Sequence, residues 1–126
     1  MNLIKELQKY LYQQFPLRVG LKFVNFEVGI EQMPYAVLQS YKVSDKFLFP
    51  EVKVVKANIQ ILTETRSNTE CLKFIELVKS TFKGAIPIIG DFRVISTVIN
   101  PSTYHKDKDG KWIGEVELVF SIIVLN

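Results

Sequence analysis

The chain has 126 residues, of which 48% are hydrophobic and 23% charged, and its formal net charge is +3. These values are typical of one globular domain with a real core, and they exclude a largely disordered chain. They also disfavour a dedicated nucleic-acid binder, because such proteins concentrate far more Lys and Arg on one face.

The same numbers bound the compartment. One cysteine, Cys71, excludes an intramolecular disulfide framework and favours a reducing environment. The apolar runs are too short to span a membrane. The first residues carry Lys5, Glu6 and Lys9, which is typical of a helix of the mature fold and not of a signal peptide. We therefore expect a single domain over residues 1–126 with no membrane contact.

A stripe of apolar side chains recurs at helical spacing near the N-terminus: Leu3, Ile4, Leu7, Leu11 and Phe15. Polar residues occupy the other side, so the pattern predicts an amphipathic helix over about residues 2–15. Pro16 is expected to end it, since proline disfavours the helical conformation of the residue before it.

Two strands are predicted before the middle of the chain. The mixed segment after Pro16 predicts one strand near Lys22–Val28, and the pattern from Tyr35 predicts a second over about 35–43. Residues 44–51 are interpreted as a connection, one with an unusual apolar cluster at 47–49.

A third, long strand runs from about Val55 to Thr63. Apolar and polar residues alternate along it, which is the pattern of a half-buried antiparallel strand. Val52 and Val54 have the opposite parity, so a bulge or a change of exposed face is expected near Lys53–Val55.

The second helix is predicted over about residues 68–83. Its apolar stripe consists of Cys71, Phe74, Ile75, Val78 and Phe82. Ser67 and Glu70 have the spacing of a capping box, in which each side chain satisfies an amide at the helix start. Gly84 stands where a left-handed C-terminal cap is needed.

The last third predicts a hairpin over about residues 92–125. Phe92–Ile99 is rich in β-branched residues, and Pro101 marks where regular pairing loosens. Alternate positions of the closing strand are almost wholly apolar: Trp112, Gly114, Val116, Leu118, Phe120, Ile122 and Val124. The other positions become apolar late, so the last residues are expected to be covered on both faces.

This order of elements predicts an α+β fold, a mostly antiparallel sheet with two helices packed on one face. If the capped helix joins two parallel strands of the sheet, its crossover should be right-handed.

The stretch YHKDKDGKW contains the only histidine and the only tryptophan of the chain. Asp107-x-Asp109-Gly110 is similar to part of a calcium loop, but such a loop needs a Glu six residues after its glycine. That position is Val116, so the spacing excludes the loop. The interpretation left is a solvated hairpin tip with Asp-Gly turn chemistry.

The other candidates for chemistry also lack partners. His105 has no nucleophile or acid placed beside it in the sequence. Cys71 falls on the apolar stripe of the second helix, where a buried core residue is expected. Glu115 and Glu117 share one side of a strand and are interpreted as a solvent-facing or subunit-facing stripe. The glycines form no phosphate-binding pattern. We therefore expect no enzymatic activity, no cofactor and no metal.

Residues 54–82, VVKANIQILTETRSNTECLKFIELVKSTF, resemble tail-terminator and tail-completion proteins of long-tailed bacteriophages and their prophage remnants. In that family a strand such as Val55–Thr63 runs into a helix with polar opening residues, as at Thr65–Glu70. The closing strand Val116–Val124, after the turn Asp109-Gly110, is similar to the terminal strand of the family.

The resemblance implies a non-catalytic assembly protein in the virion tail, present in the host cytoplasm during assembly. Tail terminators form a ring, usually a hexamer, that stops growth of the tail tube and offers a surface to the connector of the head. The implied partners are further copies of the chain, the tail tube protein and the head–tail connector, with no small-molecule substrate. Charged loops are the expected docking sites, at Ser44–Lys46 and above all at His105, Lys106, Asp107, Lys108, Asp109 and Lys111.

Two alternatives remain open from the sequence. One is another neck or baseplate component of a phage. The other is a small nucleic-acid-binding α+β domain that uses Lys53, Lys56 and the loop at 106–111.

Overall fold

The computed structural model describes residues 2–24, 33–64 and 67–125. In chain order the elements are α1 (Leu3–Gln14), a π-helical turn (Phe15–Val19), β1 (Lys22–Val24), β2 (Tyr35–Lys46), β3 (Phe49–Thr63), α2 (Thr69–Phe82), β4 (Ile88–Ile89), β5 (Phe92–Ile99), β6 (Thr103–Lys106) and β7 (Trp112–Val124).

The strands form one sheet in the order β1-β2-β3-β7-β5-β4, and β6 pairs with β7 beyond the end of β5. Only the β1–β2 pair is parallel among the described strands, and the other pairs are antiparallel. Both helices bury their apolar sides in one core with the sheet. The predicted fold class, α+β with a mostly antiparallel sheet and two helices on one face, is confirmed. Because β3 and β5 both run antiparallel to β7, they are parallel to each other, and α2 lies in the connection between them.

The first helix begins at an asparagine cap and continues past the predicted stop. The amide of Lys5 donates a hydrogen bond to Oδ1 of Asn2 over 3.2 Å. The α-helix ends at Gln14. Pro16 was predicted to end the helical path, but a π-helical turn continues through it to Val19. Pro16 stands at the start of this π-helical turn, where its fixed φ is compatible with the helical path. The π-helical turn ends at Gly20, whose φ of 81° favours a residue without a Cβ.

The strand predicted near Lys22–Val28 is found as Lys22–Val24, and its remainder lies outside the described residues. β2 contains a bulge at Gln39 that changes which residues face the helices. Before the bulge Ala36 and Leu38 are in the core, and after it Tyr41 lies opposite buried Ala57.

The connection predicted at 44–51 is wrong, because β2 continues to Lys46 and β3 begins at Phe49. Asp45 pairs with Lys53, whereas Lys46 pairs with Phe49. The pairing is regular over Lys53–Val55, where a bulge or a change of exposed face was expected, and the irregularity lies just before it, at residues 50–52, which have no partner in β2. The two strands approach so closely that only Phe47 and Leu48 separate them.

The second helix begins at Thr69 with Asn68 as its N-terminal cap residue, and the predicted capping box does not form its start. The amide of Thr69 donates to Oγ of Ser67 over 3.2 Å, so the serine organises the turn that precedes the helix. At the other end Gly84 has the predicted left-handed conformation, with φ 73°. Its amide donates to the carbonyl of Thr97 over 3.1 Å, which ties the end of α2 to β5.

The closing hairpin has the predicted interruption at Pro101, between β5 and β6. Alternate residues of β7 from Gly114 to Ile122 are buried, as the sequence pattern predicted, but Val124 and Leu125 are exposed, contrary to the expected double cover. A Cβ placed on Gly114 would lie 2.9 Å from Cδ1 of Ile75, so glycine allows α2 to pack directly on β7.

Candidate docking surfaces

The carboxylate of Asp107 organises the tip of the closing hairpin. Its Oδ1 accepts hydrogen bonds from the amides of Asp109 and Lys111, both over 2.9 Å. The amide of Asp107 donates to the carbonyl of Lys111 over 2.8 Å, and Gly110 has φ 79°. The turn chemistry expected of Asp-Gly is therefore present, within a wider loop that Asp107 stabilises from inside.

The residues predicted for docking divide between a strand and this loop. His105 and Lys106 belong to β6, whereas the other four lie between β6 and β7. Lys106 places its ammonium 5.5 Å from the ring centroid of Trp112, which lies on the paired strand β7. The ring centroid of Tyr104 is 5.5 Å from that of the same tryptophan. Such contacts orient the base of the loop. Its tip at Lys108 and Asp109 projects into solvent.

Glu115 and Glu117 share the sheet face that is turned away from the helices. Glu115 accepts hydrogen bonds from Gln60 over 3.1 Å and from Thr103 over 3.4 Å. Glu117 accepts one from Asn100. These neutral donors hold both carboxylates in a polar cleft of about 220 Å³. Within residues 2–24, 33–64 and 67–125, no cluster of three His, Cys, Asp or Glu side chains could hold a metal ion.

The one thiol is part of the core. Cys71 is fully buried at the contact of α2 with Gly114. Burial raises the pKa of the Cys71 thiol, and the adjacent Glu70 raises it further. A thiol with a raised pKa forms less of the reactive thiolate at neutral pH, so this position is chemically quiet.

Sequence reasoning missed an exposed apolar surface where β2 turns into β3. We call it the hairpin corner, and it consists of Tyr41, Val43, Phe47, Leu48 and Phe49. Phe47 is 85% exposed and Leu48 76% exposed at the turn. Tyr41 and Val43 lie on the helix side of β2, next to the buried residues of β3, but neither helix covers them. The three consecutive apolar residues at 47–49 were the signal in the sequence.

The backbone at this turn is strained. Leu48 has φ 68°, the left-handed region in which a side chain with a Cβ is disfavoured. Two-residue hairpin turns usually use Asn, Asp or Gly there. Phe47 and Leu48 are therefore unfavourable at this turn in two ways: they are not turn-forming residues, and they expose apolar side chains to solvent.

A groove lies at the opposite edge of the sheet, between the last turns of α2 and β5. Its volume is about 710 Å³, and Val98, Ile99 and Pro101 supply apolar lining. Lys79 and Lys83 stand on its helical side. Lys79 is 3.6 Å from Glu76, whereas Lys83 is exposed and makes no ion pair within the described ranges.

The basic residues of the nucleic-acid alternative are not brought together. Lys53 forms an ion pair with Asp45. Lys56 lies opposite Val119 of β7, seven residues along that strand from Trp112, where the charged loop ends. At about 3.4 Å per residue the separation is about 24 Å, too far for one compact basic patch.

The same fold is found in a virion particle. A chain of the "Virion of native gene transfer agent (GTA) particle" matches with a TM-score of 0.72 over 98% of this chain and 98% of that chain, at 17% sequence identity. No protein-family model matches the sequence, and no curated protein is similar to it at a significant level. At this identity the likeness shows the fold, over nearly the full length of both chains.

No helix within the described ranges has the length and hydrophobicity needed to cross a membrane.

Proposed function

We propose that the protein is a non-catalytic structural component of a phage-type virion, which forms a ring on the end of the tail tube and offers a surface to the head connector. The observation that carries the proposal is the fold shared with a virion chain over 98% of both lengths. The resemblance of residues 54–82 to tail terminators supports the same conclusion independently.

The surfaces of the molecule suit assembly better than catalysis. A ring with head-to-tail contacts needs two different patches on each subunit, because one patch binds the next copy and the other is bound by the previous copy. The hairpin corner and the groove beside α2 are separate, exposed and partly apolar. The carboxylates that could do acid–base work are instead held by neutral amide and hydroxyl donors on an open sheet face.

The charged loop at 107–111 is the proposed contact with the connector. It projects from the end of the sheet at which β7 begins, whereas the hairpin corner lies at the level of Ile122, near the end of β7. A subunit can therefore use the corner for one contact and the loop for another. The proposed ring is part of the virion tail and assembles in the host cytoplasm.

Deletion of the gene from the phage or prophage genome that encodes it tests the proposal directly. Electron microscopy of the resulting particles should show tails of uncontrolled length that lack heads, and the supplied gene should restore normal particles. Defects confined to the baseplate, with normal tail lengths, would identify a baseplate component instead.

The loop can be tested without damage to its turn. Asp107 stabilises the loop through two backbone amides, so it should be left in place. The triple substitution Lys108→Ser, Asp109→Ser and Lys111→Ser removes the charged tip. We expect unchanged melting behaviour together with tails that fail to join heads, and normal head joining would contradict the role of the loop.

A further inference from the structure

We propose that the hairpin corner of one copy binds in the groove between α2 and β5 of a second copy. The proposal rests on the ring described above and names the surfaces that would build it. Phe47 and Leu48 supply the inserted side chains, and Val98, Ile99 and Pro101 supply the receiving wall.

The apolar side chains of the corner are exposed together at one turn. Large apolar side chains that stand together on a surface mark an interaction site more often than a chance arrangement. Phe47 is 85% exposed, Leu48 76% and Phe49 51%, and they are consecutive at one turn. Tyr41 and Val43 extend the same patch along the edge of the sheet. Aromatic anchors at the centre of a patch are typical of the residues that dominate protein interfaces.

Among the described strands, the edge of β2 along the corner has no further partner. β1 pairs only with Tyr35–Val37 of β2. Over residues 38–46 no other described strand pairs with that edge of β2. A long edge with apolar residues on one face invites contact with another chain.

The corner and the groove are too far apart to meet within one chain. The corner lies at β2 and β3, and the groove lies at β5, with β7 between them. Three strand spacings of about 4.8 Å separate β2 from β5, about 14 Å in all, so the corner cannot fill the groove of its own chain. The two surfaces stand at opposite lateral edges of one sheet. A copy placed beside the first brings its corner to the neighbouring groove and leaves one corner and one groove unoccupied. This is a head-to-tail contact, which forms a ring when the rotation between copies closes.

The tip of the corner and the groove each carry an unpaired charge, and the two charges are opposite. Glu51 lies next to the tip, is exposed, and makes no ion pair within the described ranges. Lys83 stands on the groove under the same conditions. Asp45 and Lys53 at the tip already neutralise each other, whereas Lys46, beside Phe47, is a second exposed charge without an ion pair within the described ranges. Seating the tip in the groove would bring one acid towards one base, and complementary charges of this kind fix the register of an interface.

Cross-linking between two single variants tests the contact. Phe47→Cys and Val98→Cys are prepared separately, mixed, and treated with a short bismaleimide. Cys71 is buried and should not react. We expect covalent dimers and higher species in the mixture and almost none with either variant alone. A mixture of Leu17→Cys with Val98→Cys is the matched control, since Leu17 is as exposed as Leu48 but lies outside the corner.

A charge reversal gives a second, independent measurement by light scattering on the full chain. Glu51→Lys or Lys83→Glu alone should weaken self-association several-fold, and the two together in one chain should restore it. The control is Glu64→Lys, which reverses an exposed charge at the far end of β3.

The outcomes separate this inference from the proposed function. Cross-links in Phe47→Cys alone would mean that corners meet each other, and would overturn the inference. An oligomer of the natural chain that ignores both the cross-linking pair and the charge reversal would also overturn it, as would a strict monomer at roughly millimolar concentration. In each of these cases normal tail lengths restored by the supplied gene would leave the proposed function standing. Uncapped tails from Phe47→Ser, with Leu17→Ser normal, would support both.

Discussion

Replacing Leu48 by glycine should stabilise the isolated chain and, at the same time, weaken the proposed self-association. With φ 68°, the leucine occupies a conformation that costs an L-residue about 1–2 kcal/mol. Its side chain is 76% exposed, so little buried contact is lost on removal. Part of the gain is offset because glycine loses about 0.5–1 kcal/mol more chain entropy on folding.

The comparison with Leu48→Ala separates strain from side-chain loss. Alanine removes most of the side chain but keeps the Cβ that the left-handed conformation disfavours. We expect Leu48→Gly to exceed Leu48→Ala in unfolding free energy by about 1 kcal/mol. For a domain of this size that is a difference in melting temperature of roughly 4 °C. Calorimetry at low protein concentration, where the subunit is dissociated, measures it.

Both variants should lose association to a similar degree. Burying a leucine contributes about 1.5–3 kcal/mol, and 1.4 kcal/mol corresponds to a tenfold change in affinity, so the dissociation constant should rise about tenfold or more. Sedimentation velocity over a dilution series measures it. Leu17→Ala, at an equally exposed leucine, should change neither quantity. If Leu48→Gly melts below Leu48→Ala, the strain argument is wrong; if both assemble like the natural chain, the corner is not an interface.

Four further predictions concern the folded subunit. Gly114→Ala should lower the unfolding free energy by about 1–3 kcal/mol through contact with Ile75, and urea titration should show part of that loss restored by Ile75→Val in the double variant. Thr97→Val should cost about 1–3 kcal/mol, because the buried Oγ1 donates to the carbonyl of Ala85 over 2.6 Å; thermal melting should show the loss, whereas Thr97→Ser should be milder. Asp107→Asn keeps the Oδ1 acceptor and should leave hydrogen exchange of the loop amides unchanged, whereas Asp107→Ala should speed exchange at Asp109 and Lys111. Burial raises the pKa of Cys71 and of Tyr10, although the charge of Arg18 opposes the shift at the tyrosine. Both groups therefore ionise first in the unfolded chain, and stability should fall as the pH rises above about 9.0, the ordinary pKa of the thiol. Urea titrations of Tyr10→Phe and Cys71→Ala over this pH range should show a smaller loss of stability than the natural chain.

The parts of the fold that could be predicted are those in which one face is buried along the whole element. The apolar stripe of α2 and the alternation in β7 each report a continuous contact with the core, so their positions follow from periodicity. Pro101 was a reliable marker for the same local reason, since it cannot donate to a ladder.

Other parts depend on neighbours that periodicity does not describe. β2 contains apolar residues on both parities because Tyr35–Leu38 are buried on both faces of the sheet, and because the bulge at Gln39 then changes which residues face the helices. Neither feature can be read from the alternation of a single strand. The capping box predicted for α2 was wrong, because Oγ of Ser67 accepts a hydrogen bond from the amide of Thr69, and Asn68 is the cap residue of the helix. The groove beside α2 arises where β5 ends against the last helical turn, a tertiary meeting with no sequence signature.

The hairpin corner was missed for a different reason. Turn prediction expects residues that lower the cost of turning, and Phe47-Leu48 raises it twice, through the left-handed leucine and through exposed apolar surface. Sequences usually agree with their fold at every level, and a place where several local rules fail together is where a function other than folding is to be sought. At the charged loop, by contrast, Asp107 and Gly110 satisfy every local rule, so the turn alone accounts for these two residues. For the proposed ring, this contrast ranks the corner above the loop as the surface on which assembly would depend.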